Sequence, residues 1–338
     1  MLKEDGRRSV QGVPTSLLKG KTVLVTGASG LIGTHFLYGL LHCQEKLGLA
    51  LDVVGVVRRE VPEHLAPMAG RVRFVVGNLT APGFLRALPW ADIIIHAAGY
   101  GQPAKFMANP LATLKLNTAT TFALLDKLIV GGRFLYLSSS EVYSGLTEAP
   151  FSEGQIGTTN TTHPRACYIE AKRCGEAICN AYGAKSVRQC LAYGPGVKAG
   201  DQRVLYDFIR KALKDGAIHL RDQGAAKRTY CYIADAVCMM WRILLEGKDA
   251  IYNVGGVSST TILELAQLVG RQLGVPVYAP LESDGVVGAP SEARVNLDKF
   301  TSEFGPVDFM DLEEGVARTI AWQRSLDETV RGVDCRGA

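Results

Sequence analysis

Tyr168 and Lys172 stand four residues apart in a stretch, 164–182, whose apolar spacing predicts a helix. The phenol and the ammonium therefore share one face, one turn apart. A phenolate is a general base for an alcohol, and a neighbouring ammonium favours that charged form. Upstream, Ser138-Ser139-Ser140-Glu141-Val142-Tyr143 leaves an apolar run at 133–139 and offers hydroxyls in Ser139 and Ser140 beside the carboxylate of Glu141. Such a set can orient a substrate hydroxyl and handle a second proton. A Y-x-x-x-K match alone is weak evidence; its context carries the reading.

A second chemistry sits near the N-terminus. Thr26-Gly27-Ala28-Ser29-Gly30-Leu31-Ile32-Gly33 follows a predicted strand and opens a predicted helix. Gly27 suits a tight turn, Gly30 lets backbone N–H groups approach a diphosphate, and Gly33 lets the helix pack close to the sheet, so Gly27, Ser29, Gly30, Leu31, Ile32 and Gly33 form a candidate dinucleotide loop. The second strand ends at Val57 and is followed by Arg58-Arg59-Glu60. A site for NAD usually places a carboxylate there for the ribose 2′-hydroxyl, whereas a guanidinium suits a 2′-phosphate, so Arg58 and Arg59 favour NADP over NAD. Asn78 and Leu79 after the third strand, and Ala97, Ala98 and Gly99 after the fourth, would border the adenine and diphosphate. An enzyme that returns its hydride can keep its cofactor through purification.

These groups need a scaffold. Candidate strands at 22–27, 51–57, 72–76, 92–98, 133–139 and 186–193 alternate with helical segments at 31–42, 83–88, 103–130 and 164–182. That rhythm predicts βαβ units and an α/β fold, a Rossmann-type doubly wound parallel sheet. After Gly194-Pro195-Gly196 the pieces shorten: a helix near 203–214, strands near 217–221 and 229–233, and helices at 234–246, 260–273 and 312–325. The expected organisation is an N-terminal arm (1–20, flexible), an NAD(P)-binding domain (21–195) and a smaller substrate-binding lobe (196–338) interleaved with it. The ligand would lie in the cleft beyond the carboxyl ends of the strands.

The 338 residues, 47% hydrophobic and 21% charged, provide ample core and exclude disorder. Thirty-seven basic against 33 acidic residues give +4, scattered along the chain, which is no footprint for nucleic acid. The longest apolar runs fall far short of the roughly 18 residues of a membrane span, and the first twenty residues contain no apolar leader, so a cytoplasmic protein is expected. Eight cysteines (43, 167, 174, 179, 190, 231, 238, 335) form no C-x-x-C pair and read as reduced, mostly buried thiols. The six histidines have no metal-ligand spacing, and His96 reads as a core or rim residue. Arg203 and Arg228 could clamp a diphosphate, since the guanidinium fork matches phosphate oxygens.

The ordered set TGASGLIG, SSSEVY and YIEAK resembles the extended short-chain dehydrogenase/reductase superfamily, in its nucleotide-sugar-modifying branch, and within it most of all the UDP-glucuronate decarboxylases (UDP-xylose synthases). The segments 103–118, 138–144, 164–183, 200–213, 227–237 and 252–269 carry the likeness, which runs from about Lys21 to Leu326; PRACY-x-E-x-KR is its most specific element. The resemblance implies a homodimer built on helices near 104–130 and 164–183 and a UDP-sugar substrate. It implies Tyr168 as general base, Lys172 as its activator, Ser139 as hydroxyl partner, and Ser140 with Glu141 as the pair that marks a decarboxylase. It also brings Asn117 into the cofactor contacts. The related dTDP-glucose 4,6-dehydratases carry an Asp where this chain has Ser140, and that acid protonates the leaving hydroxyl, which argues against dehydration here.

The sequence departs from the family pattern at several points. Arg58 and Asn78 replace acids, Leu191 replaces an Asn that helps hold the nucleotide diphosphate, Gly196 replaces an Arg, and the basic residue that assists the sugar carboxylate is matched only loosely, by Arg294. A nucleotide-sugar 4-epimerase, a 4,6-dehydratase and an NADPH-dependent 4-keto-sugar reductase remain alternatives, as does a non-catalytic protein that senses NADP(H).

Overall fold

A computed structural model describes residues 1–281 and 292–334 of the chain. Cys335 lies outside the described residues.

Seven strands form one sheet: β1 (Thr22–Thr26), β2 (Asp52–Val57), β3 (Val72–Val76), β4 (Ala91–His96), β5 (Leu128–Ser139), β6 (Lys185–Gln189) and β7 (Ile251–Val254), in the order β7-β6-β5-β4-β1-β2-β3. Every pairing is parallel. The period of two along each strand decides the layers. Val23 and Val25 of β1, with Ile93 and Ile95 of β4, face one cluster that contains Phe36 and Leu40 of α2 (Leu31–Lys46) and Trp241 of α9 (Ile233–Glu246). Leu24 and Ile94 face the opposite cluster, with Leu124, Ile178 and Cys179. Both faces being covered explains why these strands read as unbroken apolar runs. The strand order reverses between β1 and β4, and the crevice at their carboxyl ends is where this topology receives ligands.

The stretch 103–130 is not one helix. It is divided into α4 (Pro103–Ala108), α5 (Pro110–Asn117) and α6 (Ala119–Leu125), and β5 begins at Leu128. Pro110 lacks an N–H and biases the preceding residue away from the helical region; Asn109 sits at φ −133° and ψ 57°. α7 (Ala166–Ala181) matches expectation. The strand expected at 186–193 ends at Gln189, and Ala192–Tyr193 pairs instead with Cys231–Tyr232.

The later residues form a second cluster in which Leu205, Phe208 and Ile209 of α8 (Val204–Asp215), Leu265 and Val269 of α10 (Ile262–Leu273), and Val316 and Ile320 of α12 (Leu312–Asp334) pack together. The chain returns from it to place α9 and β7 on the first sheet. Among the described residues no helix is long and apolar enough to cross a membrane. The described cysteines are all free: Cys43, Cys179, Cys190 and Cys231 are buried, whereas Cys174 is exposed.

The first twenty residues are not a flexible arm. α1 (Leu2–Arg8) packs against α2 and α9, and the carboxylate of Asp5 is buried. It accepts hydrogen bonds from Tyr232 Oη at 3.0 Å and Arg318 Nη2 at 2.8 Å, with His35 Nε2 3.6 Å away. Arg8 pairs with Asp235. A charged first turn reads from sequence as solvated, yet Asp5 and Arg8 find partners more than 200 residues away.

Candidate active site

The phosphate loop is shaped by contact. Gly27 has φ +66°, and a Cβ there would stand 2.7 Å from Ala97 O and Ala98 N; a Cβ on Gly33 would stand 2.3 Å from Gly27 O. Only glycine permits this turn and this approach of helix to loop. Gly30 is the N-cap of α2 and no side chain caps the helix, so the N–H groups of Leu31 and Ile32 open the first turn toward the crevice with the positive end of the helix behind them. These features fit a dinucleotide diphosphate. Arg58 is exposed at the end of β2 and donates to Tyr100 Oη at 2.7 Å across the crevice; Arg59 is exposed beside it. Asn78 accepts from Thr80 N at 3.1 Å in a tight turn, and Leu79 is buried behind it. A Cβ on Gly99 would lie 3.8 Å from Lys172 Nζ, so the edge of β4 meets the catalytic helix.

Asn117 reaches the site indirectly. It is fully buried, accepts from Tyr136 Oη at 2.9 Å and donates to Thr113 O at 2.8 Å, and the Tyr136 ring lies under the Lys172 ammonium, 4.9 Å from ring centroid to Nζ. Asn117 thus acts on the site through Tyr136. His96 is a core residue, with Nδ1 2.9 Å from Thr26 Oγ1 and Nε2 3.0 Å from Leu116 O.

Tyr168 and Lys172 rise from α7 into the crevice, both buried. Ser139 stands beside Tyr168 and favours its phenolate, and its Oγ accepts from Glu141 N at 3.2 Å, which caps the turn at Ser140–Tyr143. Phe106 of α4 stacks on Tyr168 with centroids 4.5 Å apart. The expected activation differs in one respect. Lys172 Nζ donates to Leu137 O at 2.5 Å and lies over the face of the Tyr168 ring, 5.6 Å from its centroid, rather than at its hydroxyl. Burial, only partly opposed by Ser139, pushes the phenol up to about 12. Burial likewise lowers Lys172 to about 7, with Glu176 opposing.

Glu141 pairs with Arg165, Nη2 to Oε1 2.5 Å; burial raises its carboxyl above the usual range, and Arg165, His163 and Arg228 oppose that rise. Ser140 lies near the buried thiol of Cys190, whose sulfur donates to Thr229 O and Ala293 O, each at 3.8 Å. Arg228 stands near Glu141 and Arg165, loses charge stability through burial, and among the described residues has no carboxylate at ion-pair distance. Arg203 comes near Tyr168, but its fork is taken by Asp201 (Nε to Oδ1 3.0 Å, Nη2 to Oδ2 2.9 Å), which also accepts from Gln102 at 2.8 Å. Arg294 pairs with Glu292 at 2.9 Å, and no contact ties it to Tyr168 or Glu141. Phe106, Arg165 and Asp201 belong to the site and were not singled out by sequence. Arg165, three residues before Tyr168 at the N-cap of α7, was the one with a readable signal. No group of His, Cys, Asp and Glu able to hold a metal occurs among the described residues.

A buried lysine lowered from 10.5 to about 7 has a linkage consequence. Between those values the unfolded chain holds a proton that the folded chain lacks, so this group lowers stability progressively as pH falls through the window, and fully below about 7. The melting temperature of Lys172→Met minus that of the unmodified protein should therefore grow as pH is lowered from 9.5 to 7 and then level off. A difference that shrinks over that range would contradict the burial described.

Comparison with known proteins agrees with this geometry. The sequence pattern of the NAD dependent epimerase/dehydratase family matches residues 23–255. UDP-glucuronic acid decarboxylase 1 of Danio rerio is 29% identical over 314 residues, covering 89% of this chain and 72% of that protein. A dTDP-4-dehydro-6-deoxy-D-allose reductase of a Streptomyces species is 29% identical over 323 residues, covering 90% and 97%. The crystal structure of a dTDP-glucose 4,6-dehydratase from Streptomyces venezuelae with NAD bound superposes with a TM-score of 0.75 at 26% identity, covering 90% and 97%. The chain belongs to the NAD dependent epimerase/dehydratase family.

Proposed function

We propose that this nucleotide-sugar-modifying enzyme oxidises the C4 hydroxyl of its sugar and decarboxylates a UDP-glucuronate-like substrate. The observation that carries the reading is the buried Tyr168 beside Ser139 at the carboxyl end of β5, with Ser140 and Glu141 next in the chain. The likeness to UDP-glucuronic acid decarboxylases supports the same choice of substrate. A nicotinamide bound at the phosphate loop supplies hydride acceptance and return at the sugar carbon. Tyr168 takes the 4-hydroxyl proton as C4 becomes a ketone. The ketone is β to the C6 carboxylate, so the C5–C6 bond can break, its electrons passing into the C4 carbonyl as carbon dioxide leaves. The oxygen at C4 stays against Tyr168 and Ser139. A proton must then reach C5, and Glu141, whose carboxyl burial holds above its usual range, is placed to carry it. Arg228, a desolvated cation without a carboxylate partner among the described residues, is suited to an anionic group of the substrate. The exposed Arg58 favours one rival, an NADPH-dependent reductase of a 4-keto sugar.

The same reading extends to cofactor and assembly. Arg58 and Arg59 at the end of β2 support NADP over NAD, although the solved dehydratase from Streptomyces venezuelae carries NAD. Leu111 of α5, Phe122 of α6 and Tyr182 after α7 are exposed, and Phe122 and Tyr182 pack edge to face at 6.2 Å. Such an apolar surface on these helices supports a homodimer closed by a four-helix bundle.

Three measurements test these proposals. Mass spectrometry of UDP-glucuronate treated with the protein and cofactor should show loss of carbon dioxide; unchanged mass with a new stereoisomer would instead mean epimerisation, and inertness toward it with turnover of a 4-keto sugar and NADPH would establish the reductase. Titration should give tighter binding of NADP than NAD, with the order reversed in Arg58→Asp; tighter NAD binding by the unmodified protein would refute the preference. Sedimentation equilibrium at micromolar concentration should return twice the chain mass, and a monomer would reject the bundle.

A further inference from the structure

Between Tyr193 and α8 the chain crosses from the sheet to the second lobe, and it crosses directly over the phosphate loop. Gly196 has φ +92°, and a Cβ on it would stand 3.3 Å from His35 Cε1 and 3.4 Å from Thr34 Cγ2, so this turn rests on the first turns of α2. Val197 is buried, and its carbonyl accepts from Trp322 Nε1 at 2.8 Å. The crossing is therefore fixed on both sides. The next residue, Lys198, extends back over the loop and donates from Nζ to Ser29 Oγ at 3.1 Å.

The surroundings of that ammonium are unusual for a surface lysine. Partial burial lowers its pKa, Lys105 and Arg59 lower it further, and Glu60 alone opposes. Among the described residues no carboxylate lies at ion-pair distance from Nζ, and its hydrogen-bond partner is a neutral hydroxyl. His64, on the same side of α2, is held near 4 by burial with Lys198 contributing, so it is neutral and supplies no counter-charge. The positive end of α2 points into the same space. Cations gathered without a counter-charge repel one another, and an anion placed among them relieves that repulsion.

We propose that Lys198 is a phosphate-binding residue of the cofactor site, contributed by the second lobe across the crevice, with Ser29 holding it in place. The inference rests on the reading of 26–33 as the dinucleotide loop and goes beyond it, since no sequence motif marks residue 198. Phosphate oxygens occur at two places on the dinucleotide, the central diphosphate and the 2′-phosphate of NADP. The shared chemistry is a charge-assisted contact from an ammonium.

Calorimetric titration of the cofactor-free protein with NAD and with NADP tests it, using Lys198→Met and Lys198→Arg. Lys198→Met should weaken binding about tenfold or more, as loss of one hydrogen bond to a charged group does, and Lys198→Arg should keep most of the affinity. Loss for both nucleotides assigns the diphosphate; loss for NADP alone assigns the 2′-phosphate. Unchanged affinity for both in Lys198→Met overturns the inference while leaving the cofactor reading standing. If the unmodified protein binds neither nucleotide, the cofactor reading fails and takes this inference with it. Melting temperatures without nucleotide separate a structural effect: a fall in both variants, with affinity lost in both, would also overturn the assignment.

Discussion

Arg188 of β6 lies inside the protein at 2% exposure, and the catalytic edge of the sheet is organised by the way its charge is met. Its guanidinium donates to Glu176 of α7 through Nε at 2.9 Å and Nη2 at 2.8 Å. The remaining nitrogen donates to Tyr143 Oη and to the carbonyls of Glu153 and Gln155, each at 3.0 Å. Glu176 in turn accepts from Ser138 Oγ at 2.5 Å, and Tyr143 donates to Asn253 of β7 at 2.7 Å. A buried ion pair contributes little net stability, yet removing one partner costs about 3–5 kcal/mol because the other charge is left unmet. The network therefore allows one arrangement of β5, β6, β7, α7 and the turn at 140–143. Ser138 precedes Ser139, and Glu176 follows Lys172 by one turn, so the groups that do chemistry inherit their positions from it.

A second polar tie joins the lobes. Asp5, fully buried on α1, is bonded by Tyr232 and by Arg318 of α12, while His35 approaches from α2. α2 is the helix whose first turn forms the phosphate loop, and α12 carries Trp322, which holds the crossing segment at Val197. The N-terminal helix thus fixes the second lobe relative to the cofactor loop. The folded-state pKa of Asp5 is lowered, chiefly by His35 and Arg318 acting against burial. Its contribution to stability is present above the ordinary carboxyl value and is lost as pH falls through the lowered one.

What the sequence made legible was local. β1 to β4 and α2 declare themselves because a strand buried on both faces must be apolar throughout, and the loop between β1 and α2 because only glycine satisfies both its turn and its packing. Tyr168 and Lys172 were readable from helical spacing, and Ser139 from its place after an apolar strand. The helix breaks near Pro110 follow from proline, whose missing N–H and constraint on Asn109 outweigh the apolar spacing of 103–130. Other features had no local signal at all. Arg203 and Arg294 look equally available in sequence, and only the fold shows each engaged by a neighbouring acid, Asp201 and Glu292. Asn117 sits within a segment that resembles the family, and only the fold shows its amide bonded to Tyr136 and to Thr113 O. β7 carries no local signal because four residues are too few to establish a period, and α1 carries none because its charged face finds partners only after the whole chain has folded.

Burial sets the resting state of the reacting pair, and it acts on the two members in opposite senses. It raises the phenol of Tyr168 to about 12 and lowers the ammonium of Lys172 to about 7, so in each case the neutral form gains. At neutral pH the protein's own groups therefore hold Tyr168 protonated. The low polarity responsible also strengthens every charge placed nearby. Arg165, Arg203 and Ser139 already pull the phenol downward. A cation brought against Tyr168 in this setting favours the phenolate far more than it would in water. The base is thus built to respond to occupancy of the crevice: with the crevice filled the proton can leave, and otherwise it stays. The same logic applies to Glu141, whose carboxyl is raised by burial and restrained by Arg165. An anionic substrate competing for Arg165 or Arg228 would free that carboxyl to take up a proton, at the point in the site where one is next required.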